Sequence, residues 1–213
     1  MIYIASMRPR GIWAERPDDC LVINATSAQQ LKSRNRRDFS PMTPIEGGYE
    51  GFACFENFWQ AYKRYDYLDH LTDPPKREAY INKWKQLPKG KRRMPENRKG
   101  PPVDAVYPDN IVRGYLSARK EVYVPRYYDL VTKTPSFKIW QDRIKEGKNV
   151  VVYDFDGPKQ IINENGVKTV IPQCRLVTLD LLKEKINLTR YPFGHGYVLA
   201  ASLAGFTPED YCT

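Results

Sequence analysis

Short runs of apolar, mostly β-branched residues mark the strands of this chain. They occur at residues 2–4 and 21–23, where turn residues separate them, and they predict two strands. A third run at residues 150–153 precedes Asp154-Phe155-Asp156-Gly157, so two acids are predicted at a strand end. Residues 161–162 and 167–171 flank Asn163-Glu164-Asn165-Gly166, which predicts a hairpin with a glycine-containing turn.

Apolar positions at helical spacing predict most of the remaining elements. The most distinctive is an aromatic helix at about residues 52–67, which Asp73-Pro74-Pro75 prevents from continuing. Residues 35–51 before it are rich in Pro, Gly, Arg and Asp and predict an ordered loop. Further helices are predicted at residues 77–86, from Asp109 to Tyr123 with a break or kink at Pro125, from Thr134 to Gly147, from Thr178 to Ile186, and from Gly194 to about Gly205.

These elements predict an α+β fold, mainly helical, with a central aromatic helix and short strands at its rim. The 213 residues suffice for one large domain, and a single domain over residues 1–213 is predicted. A basic loop or insertion lies at about residues 83–102.

The charge of the chain favours a polyanionic partner, because the formal net charge is +9 and the pI is about 9.3. Eight Lys and Arg residues lie between Lys83 and Lys99 against the single Glu96. Lys91, Arg92 and Arg93 are candidate nucleic-acid contacts within it. A solvated loop without a ligand explains the same tract equally well.

Cysteine and histidine are too scattered to predict a metal site. Cys20, Cys54, Cys174 and Cys212 form no CxxC pair, and the chain has two histidines. The sequence shows no signal segment and no run of ~18 apolar residues. We therefore expect a cytoplasmic protein with reduced thiols, no membrane partner, no metal and no cofactor.

The first candidate site is on the aromatic helix. At ~3.6 residues per turn, Glu56, Gln60 and Lys63 share one polar stripe beside Trp59 and other aromatic residues. A carboxylate beside this much aromatic surface is partly desolvated, which suits it to acid or base work. A structural ion pair between Glu56 and Lys63 is the alternative.

The second candidate site is the segment Gly194-His195-Gly196 before an apolar helix. Two glycines at a helix N-terminus allow backbone amides to approach a diphosphate, although a tight turn into a buried helix has the same pattern. His195 could donate to a phosphate or a leaving group, and it could equally make a structural hydrogen bond. Asp156 follows the strand at residues 150–153 and could donate a proton or merely cap a turn.

The order of these segments resembles the NADAR family. The resemblance is carried by Phe39-Ser40-Pro41, the pattern FExxWQAxK at residues 55–63, Ala118-Arg119-Lys120, the acids before Gly157, and GxGxxLA at residues 194–200. Members of that family are associated with NAD and ADP-ribose metabolism, and some look like glycohydrolases that remove ADP-ribose from guanine in DNA. The resemblance implies that Glu56 is the catalytic carboxylate, with Gln60 and Lys63 in the same pocket.

The function predicted on this basis is hydrolysis of an N-glycosidic bond to ADP-ribose. Glu56 would activate water and stabilise the charge that develops on the ribose, and Asp156 or His195 would assist the leaving base. The amides of Gly194 and Gly196, with Lys63, would hold the diphosphate, while Trp59 or Phe52 would stack on a base. Two alternatives stay open: a non-enzymatic nucleic-acid-binding module that uses the basic loop and exposed aromatic residues such as Trp84, and a protein that binds ADP-ribose or NAD without turnover. The oligomeric state is left open.

Overall fold

Two stretches that are far apart in sequence, Met1–Ser40 and Val124–Thr213, form one unit of the structure, called unit 1 here. The segment between them, Pro41–Tyr123, forms unit 2. The structure is a computed structural model that describes residues 1–8, 12–26 and 33–213. Helix accounts for 41% and strand for 20%, which confirms the predicted α+β class. The single domain over residues 1–213 stays a prediction.

Unit 1 is organised around a four-stranded sheet. Its strands are β1 (Ile2–Ser6), β2 (Cys20–Asn24), β6 (Asn149–Asp154) and β9 (Cys174–Leu176), in the order β2-β6-β1-β9. β6 pairs in parallel with both β1 and β2, while β9 pairs antiparallel with β1. The side chains of residues 150–153 on β6 are completely buried, as expected for a strand covered on both faces.

The remaining elements of unit 1 are six helices and one hairpin within the described residues. The helices are α1 (Arg34–Phe39), α5 (Val124–Thr132), α6 (Pro135–Lys145), α7 (Leu179–Asn187), α8 (His195–Leu203) and α9 (Pro208–Tyr211). Strands β7 (Lys159–Glu164) and β8 (Val167–Pro172) pair antiparallel. The two residues that connect the strands, Asn165 and Gly166, both have positive φ. This is the two-residue turn that closes a twisted hairpin, so the predicted hairpin is confirmed.

Side-chain caps fix two of the confirmed helices. The hydroxyl of Thr134 accepts a hydrogen bond from the amide of Phe137 at the start of α6, and Thr178 caps α7 in the same way. Gly147 follows α6 with a φ of 82°, the left-handed conformation that favours glycine after a helix.

Unit 2 is built on one short, buried helix. Its elements are α2 (Phe55–Ala61), β3 (Lys63–Arg64), α3 (Pro74–Lys85), β4 (Asp104–Val106), β5 (Val112–Arg113) and α4 (Tyr115–Ala118), followed by a π-helical segment, Arg119–Tyr123. The three strands form an antiparallel sheet in the order β3-β4-β5.

Three of the sequence-based boundaries are wrong. The aromatic helix spans Phe55–Ala61 and not residues 52–67, because the chain continues after Tyr62 as a short strand and a 3₁₀ turn, and Tyr65 is buried there without being helical. Residues 35–51 are not loop throughout, since α1 begins after Ser33, whose hydroxyl accepts a hydrogen bond from the amide of Arg36. Asp109 does not cap a helix, because β5 follows it and α4 begins at Tyr115.

Two prolines also act differently from the prediction. Pro74 begins α3, and the carboxylate of Asp73 caps that helix by accepting from the amide of Lys76. Pro125 is the second residue of α5, so no helix ends there. Among the described residues, no helix is long and apolar enough to cross a membrane.

Candidate active site

Helix α2 forms the core of unit 2. Six of its seven residues are buried, Glu56 and Asn57 included, and Gln60 is the partly exposed one. Its aromatic rings contact others from the rest of unit 2, such as Phe58 with Tyr62 at 5.3 Å and Trp59 with Tyr107 at 5.8 Å between ring centroids. Such pairs are worth about 0.5–1.5 kcal/mol each beyond the area they bury. The helix is therefore a rigid support for its polar side chains.

Two of these polar side chains, Glu56 and Gln60, are joined by hydrogen bonds to each other and to Lys63, the first residue of β3. The amide nitrogen Nε2 of Gln60 donates to Oε1 of Glu56 at 2.7 Å. The Nζ atom of Lys63 donates to Oε1 of Gln60 at 2.9 Å. Gln60 therefore holds the carboxylate and the ammonium on its two ends, and it fixes which way each of them faces.

The environment of Lys63 makes its ammonium group easier to deprotonate. Burial lowers the pKa of Lys63 to about 8, and the positive charge of Arg93 acts in the same direction, while Glu56 opposes the shift. The Nζ atom also lies 4.7 Å from the centroid of the Trp59 ring, a cation–π distance for the protonated form.

Lys63 and Trp59 line a pocket within unit 2. The other residues that line it are Pro102, Val103, Asp104, Ala105, Arg113, Tyr115 and Ala118. The cavity volume is about 10 Å³, which is the space of about one water molecule. A nucleotide would therefore enter this pocket only if the lining residues moved apart.

Three ion pairs stiffen the wall of this pocket. Arg64 donates to both oxygens of Asp104, each at 2.6 Å, and this bidentate pair raises the pKa of Arg64. Arg113 is 7% exposed and pairs with Asp109 and Glu121, each at 2.8 Å. The hydrogen bonds that Arg113 donates to Asp109 are the largest cause of the raised pKa of Arg113, so this residue keeps its charge.

The two predicted stacking residues have different positions. Trp59 is 7% exposed and lines the pocket, whereas Phe52 is 1% exposed and packs against Phe58 and Tyr62. Stacking of a base on Phe52 would require that packing to open. Trp84 is 0% exposed, so its assignment as an exposed aromatic residue is wrong.

The basic segment of residues 83–99 is anchored to α2. The side chain of Asn57 donates to the carbonyl of Lys89 at 3.2 Å and accepts from the amide of Lys91 at 3.0 Å. Gly90 packs so closely that an added Cβ would lie 2.5 Å from the backbone of Met42. Arg92 and Arg93 are exposed and Lys91 is half-buried, so this ordered segment presents positive charge, and nucleic-acid binding by the three residues stays a prediction.

The second candidate site lies in unit 1, at the start of α8. There the buried carboxylate of Asp154 accepts a hydrogen bond from the amide of Gly196 at 2.8 Å, and an added Cβ on Gly196 would lie 2.4 Å from Cβ of Asp154. The protein's own carboxylate thus occupies the position predicted for a diphosphate. A ligand that binds this amide would have to displace Asp154.

His195 and Gly194 are held by the same region of unit 1. The Nε2 atom of His195 lies 2.7 Å from the carbonyl oxygen of Ala25, and its Nδ1 atom lies 3.6 Å from Oδ2 of Asp154. A Cβ on Gly194 would approach both Asp154 and Asp156 within about 3 Å. The structure therefore brings together Asp154, Asp156, Gly194, His195 and Gly196, and the catalytic roles given to Asp156 and His195 stay predictions.

Comparison of the chain with known protein families, curated proteins and solved structures gives no match. Over residues 1–8, 12–26 and 33–213, no group of three or more His, Cys, Asp or Glu side chains could hold a metal ion.

Sequence reasoning missed the far wall of the pocket in unit 2. Asp104, Arg113 and Tyr115 reach it from β4, β5 and α4, which lie more than 40 residues after Glu56 in sequence. No local motif marks these positions, because they meet only through the pairing of short strands. Asp154 was noted as one of two acids, but its hydrogen bond to α8 depends on a contact across 42 residues.

Proposed function

We propose that the protein hydrolyses an N-glycosidic bond between ADP-ribose and a base, and that Glu56 is the catalytic carboxylate. The observation that supports this proposal best is the series of hydrogen bonds from the buried Glu56 through Gln60 to Lys63, which lies at the edge of an aromatic-lined pocket. The resemblance of residues 55–63 to the NADAR family points to the same reaction.

Each group in this series suits one part of the reaction. Cleavage of an N-glycosidic bond places positive charge on the ribose, and a nearby carboxylate stabilises that charge. Glu56 is 9% exposed, so little water screens its negative charge. The carboxylate also accepts a proton from attacking water, in the manner of a general base.

The rest of the pocket suits the substrate. Trp59 offers aromatic surface to a base or ribose, and the cation Lys63 favours a ligand that carries phosphate, while the charge of Arg113 is already balanced by Asp109 and Glu121. The reacting ribose or base would enter this pocket only if its walls opened, and the remaining part of ADP-ribose would lie outside. The proposal includes the cytoplasmic location predicted from the sequence, and it uses residues of unit 2 alone.

The test is release of ADP-ribose from an oligonucleotide that carries ADP-ribose on guanine. Glu56→Gln keeps the shape and the hydrogen bond to Gln60 but accepts no proton, so we expect a loss of ~100- to 10,000-fold in rate. Glu46→Gln is the matched control, because Glu46 is an exposed carboxylate of the same unit and its replacement should leave the rate unchanged.

Circular dichroism and the thermal unfolding midpoint show whether each variant is folded. Wild-type turnover by a folded Glu56→Gln protein would refute the role of Glu56. Absence of release by the wild-type protein, together with tight binding of ADP-ribose, would instead indicate a protein that binds this ligand without turnover.

A further inference from the structure

The basic segment of residues 83–99 carries most of the positive charge of the chain. Its eight Lys and Arg residues and its one acid, Glu96, give the segment a net charge of +7, compared with +9 for the whole chain. Glu96 pairs with Lys83 at 3.3 Å. Among the residues that the structure describes, no carboxylate pairs with the other seven cations, which are Lys85, Lys89, Lys91, Arg92, Arg93, Arg98 and Lys99. Lys91 is half-buried and the other six are exposed.

Buried polar side chains hold this segment in one conformation. Asn57 is 0% exposed, and its side chain bonds to the backbone on both sides of Gly90. Asn97 is 1% exposed, and its Nδ2 atom donates to the hydroxyls of Tyr65 at 3.3 Å and Tyr80 at 2.8 Å. A connector without a ligand keeps more conformational entropy when it is mobile, so it needs no such anchors. The anchors therefore present the cations on a preorganised surface, which reduces the entropy lost when a partner binds.

The chemistry of the exposed side chains selects the kind of partner. Apart from the cations, the exposed residues of the segment are Gln86, Pro88 and Pro95, while Trp84 and Met94 are buried. A membrane-binding surface needs exposed apolar side chains that enter the lipid, and the centre of a protein interface is rich in aromatic and other large side chains. The segment exposes neither. Phosphate groups, in contrast, are bound by Lys and Arg alone.

We propose that the basic segment binds the phosphate backbone of a nucleic-acid duplex without reading its base sequence. Contacts to phosphate position a protein on a duplex but carry no sequence information. A duplex fits this surface better than a single strand, because proteins that bind single strands stack the bases on aromatic side chains, and the segment exposes none. This inference goes beyond the proposed function and does not depend on it.

The spacing of charge on a duplex also suits a fixed surface. Double-stranded DNA carries one negative charge per about 1.7 Å of its axis, so several cations that are held in place meet phosphates at the same time. Each contact releases a condensed counterion, which makes binding dependent on salt. The logarithm of the association constant falls by about 0.9 per contact for each tenfold rise in salt concentration.

Fluorescence anisotropy with short labelled duplexes that carry no ADP-ribose tests the inference. The probes are two DNA duplexes of unrelated sequence, an RNA duplex of the same length, and one of the DNA strands alone. We expect the two DNA duplexes to bind with equal Kd, and more tightly than the single strand. Binding should weaken steeply between about 50 and 200 mM KCl, and the RNA duplex shows whether both kinds of backbone are accepted.

The test variant is the triple replacement Lys89→Ala, Arg92→Ala and Arg93→Ala, at three exposed positions where the change leaves the fold intact. Loss of three phosphate contacts should reduce the salt slope by about 2.7 and raise Kd about 100-fold or more at 0.1 M salt. Circular dichroism checks that the variant is folded.

The matched control removes the same charge from exposed positions of unit 1. It is the triple replacement Lys138→Ala, Lys148→Ala and Lys183→Ala, and no carboxylate among the described residues pairs with any of these three lysines. We expect it to keep the salt slope of the wild type. A general effect of net charge would instead weaken both triple variants equally.

Binding of both DNA sequences with equal Kd, together with a reduced slope in the segment variant alone, would support the inference. Absence of duplex binding by the wild-type protein, equal losses in the two triple variants, or tighter binding of the single strand would overturn it. A marked preference for one DNA sequence would also overturn it. The same holds if the protein binds vesicles of phosphatidylcholine and phosphatidylserine but no duplex.

Discussion

The contact between Gly196 and Asp154 leads to a prediction about the stability of unit 1. In Gly196→Ala, the new Cβ would lie 2.4 Å from Cβ and 2.7 Å from Oδ2 of Asp154, where ordinary van der Waals contact begins at 3.4 Å. Cβ of Asp154 is fixed to the backbone of β6 and cannot rotate away. One of the two backbones therefore has to move by about 1 Å.

Two effects contribute to the free energy by which Gly196→Ala destabilises the protein. Overpacking of this kind destabilises by about 1–3 kcal/mol. The shift also weakens the hydrogen bond from Gly196 to a buried carboxylate, and such a bond to a charged group is worth about 1.5–3 kcal/mol. A total of about 2.5–6 kcal/mol lowers the unfolding midpoint of a chain of this length by at least about 5 °C.

Thermal and urea unfolding of the wild-type protein and of Gly196→Ala measure this cost. Gly100→Ala is the control, because an added Cβ at Gly100 would meet a Tyr67 ring atom at 3.4 Å, which is ordinary contact. If Gly196→Ala unfolded within about 0.5 kcal/mol of the wild type, the packing explanation for this glycine would be refuted. If the role of Gly196 were to bind a diphosphate, the reverse pattern would be expected. Gly196→Ala would then lower the affinity for ADP-ribose and leave the stability unchanged.

Two further predictions concern buried polar groups of unit 2. Burial lowers the pKa of His70 below its ordinary value of 6.5, so the unfolded chain binds the proton first and stability should fall as the pH drops below about 6.5. Urea unfolding between pH 5.5 and 7.5 should show this fall in the wild type and in His195→Gln but a flatter profile in His70→Phe, and a flat wild-type profile would contradict it. Replacing Asn57 by Ala leaves the backbone of Lys89 and Lys91 without its buried partner, so trypsin should cut the segment of residues 89–93 about 10-fold faster or more. Asn82→Ala changes an exposed asparagine and should cleave like the wild type, and equal rates for all three proteins would show that Asn57 does not anchor the segment.

The sequence predicted elements well where a local signal marks both ends. Each of these signals affects only the residues next to it in sequence. They are the threonine caps before α6 and α7, the β-branched run of β6, and Asn165-Gly166 in the hairpin. Such features depend on hydrogen bonds and backbone conformations that a short peptide already favours.

The predictions failed where a side chain is buried although its backbone does not have the predicted conformation. The spacing of aromatic residues continues past α2 through Tyr65, which is 3% exposed although it is not helical. A hydrophobic pattern reports which side chains are buried, and several backbone conformations can bury them. Asp73-Pro74-Pro75 was interpreted as a helix stop, but an acid followed by proline is equally a helix start.

The candidate site was predictable only in part for the same reason. Glu56, Gln60 and Lys63 lie within eight residues, and their contacts follow from helical spacing. The other wall of the pocket and the anchor at Asn57 join residues more than 30 positions apart. Their arrangement depends on tertiary packing, which no single window of the sequence contains.

The pairing of the parallel sheet constrains the order in which the chain can fold during its synthesis. β2 pairs with β6, whose last residue is made 130 residues after the end of β2. At ~5–20 residues per second, a ribosome needs roughly 6 to 26 s to make that stretch. All of unit 2 leaves the ribosome during this interval, so the inserted segment can fold while the first two strands still wait for their partner.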